Sequence, residues 1–277
     1  MRKILITVIS IVILILLSLA TILATTGYET NRFNNFIIDQ IEKNNNKVSL
    51  KLEKIKFKLD IKNLSLYLQT FDPLISYKAL KIPIKNIKIY LDLFSISNLK
   101  PQVRKMNFAS EELDIKDIKA IILKTKPSSL NSLIVNKVNK GKALSELEIY
   151  FDNNQEINNF IIKGEVKKTE IDIGNNLLLK DTNFTFFADA TDILIKKINS
   201  KSTGLSIKDG NLQIKKDKSI QIKSDFKTIV KINEKNISYY SKFLKDINFI
   251  NENINIKADL DHFLDITFDK TFKVLEY

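Results

Sequence analysis

The feature that most constrains this chain lies at its start. Residues 4 to 24 carry no charge and consist almost wholly of Ile, Leu and Val with a few Ser, Thr and Ala. An α-helix of that length runs roughly 31 Å at 1.5 Å per residue, which matches the hydrocarbon core of a bilayer. Each Ile, Leu or Val favours insertion by about 0.3 to 0.6 kcal/mol, so the run outweighs its Ser and Thr by several kcal/mol. Ile4, Leu14, Leu17 and Leu23 are the anchor residues on this reading. A cleaved signal would have a shorter apolar region and a small-residue site, and Ile22-Leu23-Ala24 makes a poor one. An uncleaved single-pass anchor is therefore expected. Arg2 and Lys3 precede the span and Glu29 is the first charge after it. The positive-inside rule then keeps the N-terminus in the cytoplasm and puts everything from Gly27 onward outside it. In a bacterium with two membranes that means an inner-membrane protein with its bulk in the periplasm.

Composition removes much of the usual chemistry. Among 277 residues there is no Cys and a single His, His262, so there is no thiol nucleophile, no Cys-bearing zinc site and no His pair for a metal. No Gly-rich phosphate loop is present. We expect no enzyme activity, catalytic set, metal site or cofactor. Asp259, Asp261, Asp265 and Asp269 cluster around His262, but Leu260, Phe263 and Leu264 interleave with them as in a plain amphipathic strand. The balance of 44 Lys+Arg against 32 Asp+Glu leaves +12, a value compatible with nucleic acid or an anionic surface. The lysines, however, are spread along the whole chain in alternation with Ile and Leu. They read as solvated sheet faces, and no nucleic-acid partner is expected.

Behind the anchor, Thr30 can cap a short helix with Phe33, Phe36, Ile37 and Ile41 at helical spacing, stopping at Asn44-Asn45-Asn46. It would either pack on the core or lie at the membrane interface, sealing the end of a sheet. From Val48 the period becomes two. Val48, Leu50 and Leu52, then Ile55, Phe57, Leu59 and Ile61, then Leu64, Leu66 and Leu68 alternate with polar residues, the pattern of half-buried antiparallel strands. Leu80, Ile82 and Ile84, then Ile87, Ile89, Leu91 and Leu93 repeat it, with Pro83 pointing to an edge or a bulge. Residues 103 to 118 continue the alternation less regularly. Pro127, Ser128 and Ser129 open a helical insert carrying Leu130, Leu133, Ile134 and Val138, which Gly141 closes.

Short strands then follow at 147–151, 160–166, 170–173, 183–187, 193–198, 205–207, 212–214, 220–222 and 226–232, with turns at Asn175-Asn176 and Asp209-Gly210-Asn211. A helical stretch around Tyr239 to Ile247 precedes the last strands, at 253–272. Lys180-Asp181-Thr182-Asn183 echoes Lys208-Asp209-Gly210-Asn211. That offset, about 28 residues, fits a repeated unit of a few strands. The chain thus divides into a cytoplasmic start and anchor (1–26), a short amphipathic helix (27–46) and an antiparallel β-region (47–277).

Several of these residues carry a family resemblance. The N-terminal span, Thr26-Gly27-Tyr28-Glu29 and Arg32-Phe33, then Leu52-Glu53 with Ile55, then Leu91-Asp92-Leu93-Phe94-Ser95 leading to Pro101-Gln102-Val103, resemble the AsmA-like family, in the amino-terminal part of its large periplasmic members. The resemblance implies a mainly β fold with a few helices: a long curled antiparallel sheet, or β-groove, behind one transmembrane helix. It also implies a role in moving phospholipid toward the outer membrane. Members of this kind are longer, so a groove incomplete at its C-terminal end is expected. Leu59, Ile61, Ile87, Ile89, Leu91, Phe184 and Phe186 are candidates for lining it.

Simple energetics agree. Exposing an acyl chain of about 16 carbons to water costs on the order of 12 kcal/mol at about 0.8 kcal/mol per CH2, and an apolar trough removes most of that cost. The expected partners are the membrane and phospholipid acyl chains. The alternative is a periplasmic β-scaffold or protein-interaction domain whose apolar faces satisfy each other.

Overall fold

The computed structural model describes residues 2–32, 34–44, 47–63, 65–92, 102–174, 177–240, 255–269, 271 and 273–277. Helix α1 (Arg2–Ala24) leads into β1 (Tyr28–Thr30), α2 (Asn34–Asn44), β2 (Val48–Lys51), β3 (Ile55–Asp60), β4 (Ser65–Phe71), β5 (Leu74–Tyr77), β6 (Leu80–Leu91), β7 (Val103–Ser110) and β8 (Leu113–Asp114). Helices α3 (Ile115–Lys124) and α4 (Ser129–Lys137) follow. Then come β9 (Val138–Phe151), β10 (Ile157–Asp172), β11 (Leu178–Ala188), β12 (Asp192–Ser202), β13 (Leu205–Lys216), β14 (Ile220–Asn233), β15 (Asn255–Phe268) and β16 (Val274–Glu276). The fold is mostly β, with one open antiparallel sheet of 16 strands. From β9 onward each strand neighbours the next in sequence, as period-two patterning with short turns dictates. The chain divides into two compact units, one holding residues 1–111 and Leu147–Phe160, the other Glu112–Glu146 and Ile161–Tyr277.

In the first unit, β3, β4, β6 and β7 pair in that order, so that Ile55, Phe57, Leu59, Leu66, Leu68, Ile87, Ile89, Leu91, Met106 and Phe108 share one face. Helix α2 and the small β2–β5 pair close over it. Ile37 of α2, Leu50 of β2 and Ile75 of β5 are buried with Ile55, Leu68, Ile87 and Ile89 in one core, and Ile38 and Ile41 pack against it. Asn34 fixes the start of α2 by donating to the carbonyls of Leu52 and Glu53 at 3.0 and 2.9 Å. The helix therefore takes the core-packing alternative through Ile37 and Ile41. Phe33 and the side chain of Phe36 lie outside the described residues. Pro83 sits where β6 passes from β5 to the larger sheet, with a register shift just beyond it.

The second unit contains the principal departures from the sequence reading. Its strands are longer than the alternation implied, because several apparent breaks are β-bulges. Lys168, Asp181, Lys197 and Asp209 have φ of 51, 50, 56 and 48°, and the strand registers shift around each of them. Asp209-Gly210-Asn211 is accordingly no turn: it lies inside β13, since one left-handed residue bulges a strand whereas a tight hairpin turn of type I′ needs two.

Residues 115–118, read as a continuing strand, begin α3, whose Ile115, Ile118, Ile121 and Ile122 recur at helical spacing. Helix α4 is capped as expected, with Ser128 Oγ accepting from the Asn131 amide at 3.1 Å. Gly141 falls within β9 instead of closing that helix. Asn175-Asn176 lies outside the described residues. Of the stretch 239–247, Tyr239 ends a short 3-10 turn, Tyr240 is buried, and the remainder lies outside the described residues.

Candidate functional site: anchor and one-sided apolar sheet

Helix α1 contains one stretch long and apolar enough to cross a membrane, Lys3–Ala24, with mean hydropathy 3.0 and none of it buried by protein. Ile4, Leu14 and Leu17 are exposed at 70, 69 and 64%, while Leu23 is half-buried near the helix's C-terminal end. Both threonine hydroxyls inside the stretch are satisfied locally. Thr7 and Thr21 donate to the carbonyls of Lys3 and Leu17 at 3.0 and 2.8 Å, the arrangement that makes a hydroxyl tolerable in hydrocarbon. The chain leaves the helix through Gly27 at φ 74°, where a Cβ would lie 2.7 Å from the Phe57 carbonyl oxygen. This glycine lets helix α1 lead directly into β1 and pack beside β3.

Strand registers in the second unit sort side chains onto two unlike faces. On one face stand Ile162, Val166 and Ile171 of β10, Phe184 and Phe186 of β11, Ile193, Ile195 and Ile198 of β12, and Leu205, Ile207, Leu212 and Ile214 of β13. β14 adds Ile220, Ile222, Phe226, Val230 and Ile232, and β15 adds Ile256, Leu260, Leu264, Ile266 and Phe268. The other face carries Lys163, Glu165, Thr185, Lys196, Gln213, Lys215, Lys223, Asp225 and Lys227, with Phe187, Leu194, Ile229 and Phe263 among them. The face is thus apolar along six consecutive strands, yet no apolar side chain named on it is fully buried. They are half-buried or exposed. Within the second unit, no described helix packs closely against β11–β15.

The strand side chains buried on that face are small and polar: Thr169, Thr182, Ser200, Ser224 and Thr228, between 1 and 8% exposed. They follow or flank the bulges. The Thr182 and Ser200 hydroxyls share a hydrogen bond of 2.8 Å. Bulges of this kind bend and twist the strands that carry them.

Two glycines make room for aromatic rings on this face. Phe186 lies over Gly164, where a Cβ would come within 2.9 Å of its Cζ, and Phe226 lies over Gly210 in the same way. On the outer face an asparagine ladder stabilises the bulges. Asn183, Asn199 and Asn211 each donate back to the carbonyl two residues earlier, and Asn183 and Asn199 accept the amides of Lys168 and Asp209. None of these residues was singled out as functional from the sequence. The only signal for them was the Lys-Asp-x-Asn echo.

The residues expected to line a groove divide between the units. Phe184 and Phe186 stand on the uncovered face. Ile87 and Ile89, at 2 and 4% exposure, are instead enclosed beneath α2 and the β2–β5 pair. Leu59 and Leu91 are half-buried at the end of that core. Ile61 is a correction: it lies past the end of β3, in the turn to β4, and is 64% exposed, because the strand alternation stops at Asp60.

The acidic cluster also comes apart. Asp259, Asp261 and Asp265 share the polar face, while His262 stands opposite Phe226 on the apolar one. Lys223 hydrogen-bonds Asp265 at 2.9 Å and holds its carboxyl below the usual range. Among the described residues no group of three metal-ligating side chains forms.

The apolar helix and the sheet together define a class, an open antiparallel β protein behind an N-terminal helix long and apolar enough to span a membrane. No family model, curated protein or solved structure matches the chain.

Proposed function

We propose that this is an inner-membrane-anchored protein of the AsmA-like kind, and that the apolar face of its second unit holds phospholipid acyl chains outside the cytoplasm and conducts them between membranes for outer-membrane biogenesis. One observation carries the reading: in the second unit an apolar face spans six strands, and the Ile, Leu, Val and Phe side chains named on it remain half-buried or exposed. Leaving large apolar area against water costs about 25 cal/mol per Å2, and a soluble domain ordinarily removes that cost by packing a second layer. An acyl chain offers the same relief without fixed geometry, which suits a face built of Ile, Leu and Phe with no oriented polar group.

The first unit supports the scaffold alternative for its own part, since its apolar face is already closed by α2. It would serve as the mount that joins groove to anchor. The orientation follows from Arg2 and Lys3 on the cytoplasmic side. Lipid mass spectrometry on the full chain, purified in a non-lipid detergent, tests the proposal. Phospholipid should co-purify in near-stoichiometric amount, and recovery of lipid-free, stably folded protein would overturn it.

A further inference from the structure

Among the described residues, strand β15 has the longest unpaired edge. All fourteen of its residues, Asn255–Phe268, pair with β14 without a register shift, whereas on the other side only Thr267 and Phe268 pair, with β16. Among the described residues the remaining length is open. Ile256, Leu260 and Leu264 are 43 to 46% exposed along it, and Phe263 is 84% exposed. Such an edge templates further pairing, and proteins ordinarily guard against it with Pro, bulges or lysines. β15 has no Pro and no bulge, and its only lysine is Lys257.

Its charge pattern narrows what it would accept. The polar face of β15 is acidic through Asp259, Asp261 and Asp265; β14 sets Lys223 opposite Asp265 and Lys227 opposite Asp261, while Asp259 stands opposite Ile229. A second copy fits badly. The longest antiparallel registers of β15 with itself set Asp259 against Asp259, Asp259 against Asp261, Asp261 against Asp261, or Asp259 against Asp265, and like charges directly opposite are destabilising.

We infer that the open edge of β15 receives an extended segment of another polypeptide that alternates apolar residues with Lys or Arg. Its backbone would extend the sheet, its apolar side chains would continue the apolar face, and its cations would stand beside the aspartates. Backbone pairing supplies affinity in this mode, and side-chain alternation supplies selectivity. The inference rests on the edge and its charges and holds whether or not the apolar face carries lipid.

A fluorescent synthetic peptide with the sequence of β14, residues 220–233, serves as a basic alternating probe against the full chain in nanodiscs. It should bind saturably, and Asp259→Lys with Asp261→Lys should weaken it at least tenfold, as should replacing the three lysines of the peptide by Glu. A photo-crosslinker at Phe263 should capture the peptide. Equal binding of the basic and acidic peptides, or none, would overturn the inference. So would a dimer held through β15, or hydrogen exchange showing the outer amides of β15 already protected in the protein alone. Loss of lipid binding with peptide binding intact would sink the groove and leave this edge standing.

Discussion

The backbone amide of Lys168 on β10 donates to Oδ1 of Asn183 on β11 at 3.0 Å. Lys168 is the left-handed residue of its bulge, and its amide has been pushed out of the regular ladder, so a neighbouring side chain supplies the acceptor that the strand no longer can. Asn183 also donates at 2.6 Å to the carbonyl of Asp181, the bulged residue of its own strand. One side chain thereby stabilises two bulges. Asn183→Ala should cost about 1 kcal/mol, the worth of an ordinary hydrogen bond at a solvated site. Hydrogen exchange at Lys168 should quicken, and an unchanged Lys168 amide would show that the ladder is incidental.

Adjacent lysines on β12 should respond to glycine with opposite signs. Lys197 is at φ 56°, a conformation that costs a residue with a Cβ about 1 to 2 kcal/mol, more than glycine's added chain entropy of about 0.5 to 1 kcal/mol. Lys197→Gly should raise the melting temperature slightly. Lys196→Gly, at an ordinary strand position opposite Thr185, should lower it. Equal destabilisation by both would contradict the bulge assignment.

Aspartate substitutions should separate closed core from open face. Ile89→Asp places a carboxylate in the enclosed core of the first unit and should cost several kcal/mol, abolishing a cooperative melt there. Phe186→Asp lies on the half-buried face, where the carboxylate keeps water, and should leave the far-ultraviolet spectrum near that of the parent while removing co-purified lipid. If Phe186→Asp unfolds the protein as Ile89→Asp does, the face is a closed core.

Asp189, in the turn between β11 and β12, accepts the backbone amides of Asp192 and Thr191 at 2.8 and 2.9 Å, and these bonds hold its carboxyl below the usual value. With the folded pKa depressed, its contribution to stability is complete above the unfolded value near 3.9 and is lost as pH falls through the folded one. Asp189→Asn should therefore flatten the fall in melting temperature below about pH 4. An unaltered acid profile would show that the turn does not depend on the ionised carboxylate.

Much of this fold was legible because an anchor and a half-buried strand each have a distinct period. The uncharged run from Ile4 to Ala24 and the alternation at Ile87 and Ile89 needed no tertiary information. The bulges were illegible as bulges because Gly and Asp-x-Asn have the same composition in a turn as in a bulge. Register with the neighbouring strand decides between them. For the same reason one unbroken strand, β13, read as two. Enclosure of Ile87 and Ile89 was hidden too, since alternation reports which face a residue takes and not what covers that face. Helix α3 was missed where Lys116 and Lys119 interrupt Ile115 and Ile118 in a way that serves either period over a short span.

Face-resolved photo-crosslinking in native membranes tests the central claim most directly. A benzophenone amino acid placed at Phe184 or Phe186 should yield phospholipid adducts, while the same probe at Thr185, exposed on the opposite face of β11, should yield none. Adducts at Thr185 as abundant as those at its neighbours, or none at Phe184 and Phe186 with the protein folded, would contradict a lipid-holding apolar face.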